Sequence, residues 1–399
     1  MTFEDMMHMK RLGSTAVSAD GKWLGYTVTS VDLATNSLTS ELWLQAIAGG
    51  EPQKLAVGQP GDDGIQFAPD GHSVLFLSGR ESGKQIWLAD FDSATGAPAN
   101  PRRLTAISGG ADNARWSPNS RSIVFTASVY PDCPAITVAD FAAGNQCNAD
   151  RDKALADSKV KAQIFTHLLY RHWNHFTGDK RSHLFLASVD NGALRDLNPN
   201  DPHDVPPFSL GGGGCGCAFS PDSKELAYTN NIDPVQAISV SAKIFTLDLT
   251  NSEAKPVQVS TSAGGNFNPA YSSDGKYLAW RSEARAGYES DKFRLMVYDR
   301  AAKTISDVLP NFDLWVDEFT WEFTSTDGVD RLLFAAGEKG EGTIYQINVN
   351  GTALRRLGKV SGTWSDLHYI IWQGATIPGQ VHDGWVVVLG NLMKVDHPS

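Results

Sequence analysis

Short runs of alternating apolar and polar residues, each entered through a tight-turn signal, recur along most of this chain. Val17-Ser18-Ala19-Asp20-Gly21-Lys22-Trp23-Leu24-Gly25-Tyr26 is the first, and Phe67-Ala68-Pro69-Asp70-Gly71-His72-Ser73-Val74-Leu75-Phe76 the second. Trp116-Ser117-Pro118-Asn119-Ser120, Phe219-Ser220-Pro221-Asp222-Ser223 and Tyr271-Ser272-Ser273-Asp274-Gly275 open three more. Each reads as an aromatic residue, a turn, and then a strand whose alternate residues face inward. Proline presets φ for the turn, and Asp and Gly tolerate the positive φ that a tight hairpin needs. A further strand follows in each unit, such as Glu41–Leu44, Gln85–Leu88, Lys243–Leu247 and Arg294–Tyr298, and a short apolar segment closes it.

The anchor residues set the period. Asp20 to Asp70 is 50 residues, Asp70 to Asn119 is 49, Asn119 to Asp222 is 103, and Asp222 to Asp274 is 52. A degenerate sixth unit, Phe319 to Phe334, has its turn at Asp327-Gly328, 53 residues beyond Asp274. Four short strands in a unit of about 50 residues is the signature of a β-propeller. The expected fold is therefore all-β: a propeller of about seven four-stranded blades, six complete and the seventh fragmentary, over residues 1–369.

The double-length gap reads as one blade, the third, carrying an insertion at about residues 129–181. Within it Asn148–Lys161 is Ala-rich, charge-interleaved and free of Pro and Gly, which predicts a helix. Ser182–Ala187 then supplies the strand that completes the blade. At the other end, Val360–Tyr369 looks like the start of a seventh unit, but residues 370–399 form an atypical tail. Val381–Leu389 offers a displaced turn and strand.

Charge narrows the chemistry. The net charge is −11, and with no basic run this argues against a nucleic-acid or anionic-membrane partner. No stretch is apolar for long enough to span a bilayer, and the first residues do not form a signal peptide, so a cytoplasmic protein and one processed from a leader both fit. The four cysteines are equally open. Cys133 and Cys147 bracket a polar loop, which suits a disulfide or two free thiols. Cys215 and Cys217, two apart, are expected to stay unbridged, because such a bridge would be strained.

No Gly-x-Ser-x-Gly elbow, Walker loop or His-Glu-x-x-His helix occurs. No catalytic residue, metal site or cofactor is therefore assigned. His167, His172 and His175 are the nearest thing to a metal cluster, with the last two spaced to share a helix face, but they lack a Cys or carboxylate at ligand spacing. An aromatic-rich segment packed on a propeller rim is the simpler account. A substrate contact through Arg171, His172 and Trp173 is the sharper one. Arg281–Lys292 likewise reads either as a solvated loop or as an acidic site, through Glu283 and Glu289, for the free amino group of a peptide.

Taken together, the repeats, Leu169-Tyr170-Arg171-His172-Trp173 and Arg285-Ala286-Gly287-Tyr288-Glu289-Ser290-Asp291 resemble the propeller of prolyl oligopeptidase-family serine peptidases. The bacterial dipeptidyl aminopeptidase/acylaminoacyl peptidase branch is the nearest in pattern. The resemblance covers about residues 1–369. It implies a propeller that gates and recognises oligopeptide substrates for an α/β-hydrolase domain, and that domain has no counterpart here. A truncated or frameshifted reading frame would account for the tail, and the chain alone is expected to be inactive. Its partners would be a peptide substrate and the missing hydrolase domain. The resemblance also implies a periplasmic or secreted parent and a Cys133–Cys147 disulfide. The alternative is a stand-alone propeller, like those of the Tol system, acting as a protein-interaction scaffold.

Overall fold

The computed structural model describes residues 2–81, 83–166, 168–209, 213–322, 328–357, 363–370 and 385–391. It is a β-propeller of six four-stranded sheets. The strands fall into two compact units, Met1–Phe208 with Asn230–Ser239, and Ser209–Thr229 with Val240–Ser399.

The first unit holds three blades. Blade 1 is Arg11–Val17, Trp23–Asp32, Ser37–Ala46 and Gln53–Lys54; blade 2 is Asp63–Phe67, Ser73–Ser78, Gln85–Asp92 and Ala97–Arg103. Blade 3 pairs Asp112–Trp116, Ser122–Val129, Arg181–Ser188 and Leu194–Asp196 in that order. Ser122–Val129 and Arg181–Ser188 are thus direct antiparallel neighbours, Val129 opposite Arg181, and the intervening residues are an insertion into a complete blade. In the second unit, blade 4 is Cys217–Phe219, Glu225–Asn230 (whose last residue groups with the first unit), Lys243–Asp248 and Val257–Gln258; blade 5 is Asn266–Tyr271, Tyr277–Ser282, Arg294–Asp299 and Thr304–Asp307. Blade 6 is Glu318–Glu322, Arg331–Glu338, Glu341–Asn348 and Arg355–Leu357. Beyond it Thr363–Ile370 pairs antiparallel with Trp385–Asn391; most of the tail expected to be atypical lies outside the described residues.

The repeat's turn does more than reverse the chain. Ser18 Oγ donates to Asp20 Oδ1 at 2.7 Å and accepts the backbone N–H of Trp23 at 2.9 Å. The same pair of contacts recurs at Ser117 with Asn119 and Ser122, at Ser220 with Asp222 and Glu225, and at Ser272 with Asp274 and Tyr277. Serine therefore ties the aspartate or asparagine to the first amide of the next strand, a side-chain clamp that pins where these strands begin. The strands then bury alternate residues between blades. Leu44, Phe76 and Trp87 pack in one cluster, and Ile86, Phe125 and Phe185 in another. Trp321, Phe334 and Val297 do the same between blades 5 and 6.

Two expectations need correction. The insertion's helix runs Phe141–Asp157, seven residues earlier than Asn148 at its start. It begins at Asp140, whose side chain accepts the Ala143 N–H, and it includes Gly144. Glycine ordinarily argues against a helix interior. Here a Cβ at Gly144 would sit 2.5 Å from the Pro134 carbonyl oxygen, so close packing of the helix on the loop before it requires glycine. Second, Cys215 and Cys217 are bridged, with Cα atoms 5.1 Å apart. Gly214 and Gly216 adopt positive φ, at 56° and 52°, and this tight turn brings the two Cα atoms within the ordinary disulfide range. Cys133 and Cys147 form a second disulfide, with a Cα separation of 5.9 Å.

Candidate functional site

The candidate residues form two groups, one in each unit. In the first unit Arg171–His172 and His175–Phe176 make a two-residue ribbon, with Arg171 opposite Phe176 and His172 opposite His175. The two histidines thus face each other across a hairpin and do not share a helix face. His167 lies outside the described residues. Trp173 occupies the turn at φ 49° and is 79% exposed. Phe165 packs against both Tyr170 and Phe176, and the His172 ring stacks on Phe208 with centroids 4.0 Å apart. The ribbon is held by ring contacts, which leave the Trp173 face open to solvent.

The second group lies in the loop joining Tyr277–Ser282 to Arg294–Asp299, two strands in register with Ser282 opposite Arg294. Glu283 begins this loop and is buried. Its backbone N–H donates to the Gly265 carbonyl at 2.8 Å, and its Oε2 accepts the Gly265 N–H at 3.2 Å. Burial, with the negative charges of Asp291 and Glu289 nearby, pushes the Glu283 carboxyl up to about 7, and the Gly265 N–H and Arg281 offset only part of this. Near neutral pH Glu283 is therefore poised between its acid and carboxylate forms. Glu289, six residues on, is exposed. The two glutamates have different environments, so they are not equivalent parts of one acidic pair.

The residue that organises this loop is Asp291, which the sequence does not single out. Its Oδ2 accepts the N–H groups of Ala284 and Arg285, at 2.9 and 3.0 Å, and its Oδ1 accepts the Lys292 N–H and a guanidinium N–H of Arg285. Burial works to raise its pKa, but these hydrogen bonds outweigh it and hold Asp291 below the usual carboxylate range. Arg285 in turn lies over the Tyr288 ring at 3.9 Å. One carboxylate thus gathers both ends of the loop and leaves Tyr288 and Glu289 on its outer surface. A carboxylate, an aromatic ring and a guanidinium at a loop tip can meet an ammonium group and a peptide carbonyl. Among the described residues no cluster of three metal-ligating side chains occurs.

No family model matches the chain. The dipeptidyl-peptidase 5 of Porphyromonas gingivalis is 27% identical over 382 residues, which is 92% of this chain and 50% of the relative. That of Porphyromonas endodontalis is 26% identical over 304 residues, 74% of this chain and 40% of the relative. The chain spans about half the length of the curated relatives it matches. Among solved structures, Pyrococcus horikoshii acylaminoacyl peptidase superimposes with a TM-score of 0.62 at 12% identity, over 91% of this chain and 48% of that one. The β-propeller domain of the Trilobed protease from Pyrococcus furiosus gives 0.53 at 12% identity, over 90% and 86%. The curated relatives of this chain are therefore dipeptidyl-peptidase 5 proteins, and its fold is a β-propeller like the N-terminal propeller of prolyl oligopeptidase-family peptidases.

Proposed function

We propose that this chain is the substrate-gating and recognition propeller of an oligopeptide-cleaving serine peptidase of the dipeptidyl/acylaminoacyl peptidase kind, with catalysis supplied by an α/β-hydrolase domain. The observation that carries this reading is the match to dipeptidyl-peptidase 5 along 92% of the chain, together with the propeller fold. Within it, Glu289 meets the free amino group of a peptide, and Glu283 acts from beneath by setting the loop's local charge. Arg171, His172 and Trp173 contact the peptide or the hydrolase domain. An oxidising compartment, periplasmic or extracellular, is part of the same reading, and the two disulfides support it.

Binding to the full chain tests the amino-group role. A dipeptide with a free N-terminus is expected to bind about tenfold more tightly than its N-acetylated form, as for the loss of one charge-assisted contact. Glu289→Gln should erase that difference. Equal binding of the two forms by the unaltered chain would remove Glu289 from substrate recognition.

A further inference from the structure

Blade 5 also carries a cavity of about 290 Å³, lined by Trp280, Met296, Ile305, Thr261, Ser262 and Arg294 among others. Its polar side chains are nearly all committed. The Trp280 indole N–H and the Ser282 hydroxyl both donate to Asn266 Oδ1 at 2.9 Å, and Ser262 donates to the Glu283 carbonyl. Trp280 therefore offers the cavity only its apolar ring, beside Met296 and Ile305.

Arg294 is different. Its Nη2 makes two long contacts, 3.4 Å to Ser262 Oγ and 3.3 Å to the Glu283 carbonyl. Its Nε–H is shut off from water and has no acceptor. Among the described residues no carboxylate pairs with this guanidinium. A buried donor left without an acceptor is costly, and an unneutralised guanidinium beside an apolar floor more so. The Nε–H itself is closed to any incoming group, but Nη1 has no partner among the described residues and is not sealed off, so an anionic oxygen from outside would neutralise the guanidinium there.

We propose that this cavity binds the α-carboxylate of an apolar amino acid, with the carboxylate on Arg294 and the side chain against Trp280, Met296 and Ile305. The volume is at the small end of ligand pockets, which limits the occupant to about one residue. The source is either a free amino acid or the C-terminal residue of a short peptide. The site recognises a carboxylate, so it stands or falls separately from the amino-group recognition assigned to Glu289.

Calorimetric titration of the full chain with N-acetyl-leucine and N-acetyl-leucinamide tests this without any free amino group present. The acid is expected to bind about tenfold more tightly than the amide, the scale of one charge-assisted contact, and Arg294→Gln should abolish that preference. Should Arg294→Gln fail to fold, Ala263→Trp fills the cavity from an exposed rim position and should block binding of the acid. Equal affinity for acid and amide, no binding of either, or a preference that survives either substitution would overturn the proposal. Acetyl-glycyl-leucine identifies the source: tighter binding than acetyl-leucine assigns the site to a peptide C-terminus, and weaker binding to a free amino acid.

Discussion

His183 Nδ1 lies 2.9 Å from Asp196 Oδ2, with both side chains almost entirely withdrawn from water. The other ring nitrogen, Nε2, is 3.0 Å from the Asp201 carbonyl oxygen. A carbonyl can only accept, so Nε2 must carry a proton, and the carboxylate at Nδ1 favours a second one. Burial alone pushes the imidazole down, but the Asp196 bond and charge, with the Asp201 carbonyl, outweigh it and hold His183 above its usual value.

The sign of the pH effect follows. A histidine whose folded pKa is raised stabilises the fold fully below its unfolded pKa of about 6.5, and that stability is lost as pH rises through the folded pKa. Urea unfolding from pH 6 upward should show this loss, and His183→Gln should flatten it. Asp196→Asn leaves a buried cation unpaired and is expected to cost about 3–5 kcal/mol. A pH profile unchanged in His183→Gln would rule out the charged pair.

Glu283 gives a test of the same sign in a lower pH window. Its carboxyl is raised to about 7, so between about pH 4.5 and 7 the folded state holds more protons than the unfolded chain. Stability should therefore fall across that window and level off above it. Glu283→Gln should remove the slope and raise stability at pH 8 by on the order of 1 kcal/mol, a value discounted for solvent screening. Denaturant midpoints at pH 5 and pH 8 for both proteins decide it.

Asp291 holds the loop through three backbone N–H groups and Arg285. Asp291→Ala should loosen residues 284–290 while blades 4 and 6 stay folded. Limited trypsin cleavage after Arg285 is the readout, with an expected gain in rate of about tenfold or more, since cleavage follows the population of the open loop. An unchanged rate would mean that the loop is held by other contacts.

The Cys133–Cys147 disulfide closes a 14-residue separation across the start of the inserted helix. In the loop-entropy account a loop of this length contributes about 3 kcal/mol. Cys133→Ser with Cys147→Ser should lower the thermal midpoint, and reduction of the unaltered protein, which also opens Cys215–Cys217, should lower it by at least as much. No change on either treatment would show that the helix is held without the bridge, by contacts such as Asn148 donating to the Gly144 carbonyl and accepting the Tyr130 N–H.

The blades were legible because their signals are local. An aromatic residue, a Ser or Pro, an Asp or Asn and a Gly within a few residues specify a turn, and period-two burial specifies the strands beside it. Even the insertion could be located, since it shows as one doubled interval between Asn119 and Asp222. The helix start at Phe141 was not legible, because Gly144 opposes a helix by propensity and only the nearby Pro134 carbonyl explains its presence. The Cys215–Cys217 bridge was hidden for the same sort of reason, since it depends on backbone angles that only Gly214 and Gly216 in that turn reveal.

The candidate site divides in the same way. By itself, the sequence determined that this is a propeller of about seven units, six of them complete, that its third blade is interrupted, and that charged and aromatic residues gather in two loops. Only the tertiary structure decided that Glu283 is buried and poised near neutrality while Glu289 is exposed, and that Asp291 organises the loop. It alone decided that Arg294 faces a cavity with a donor unmet. Strand and turn formation depend on neighbours along the chain, whereas desolvation and hydrogen-bond satisfaction depend on what the folded blades bring against each side chain.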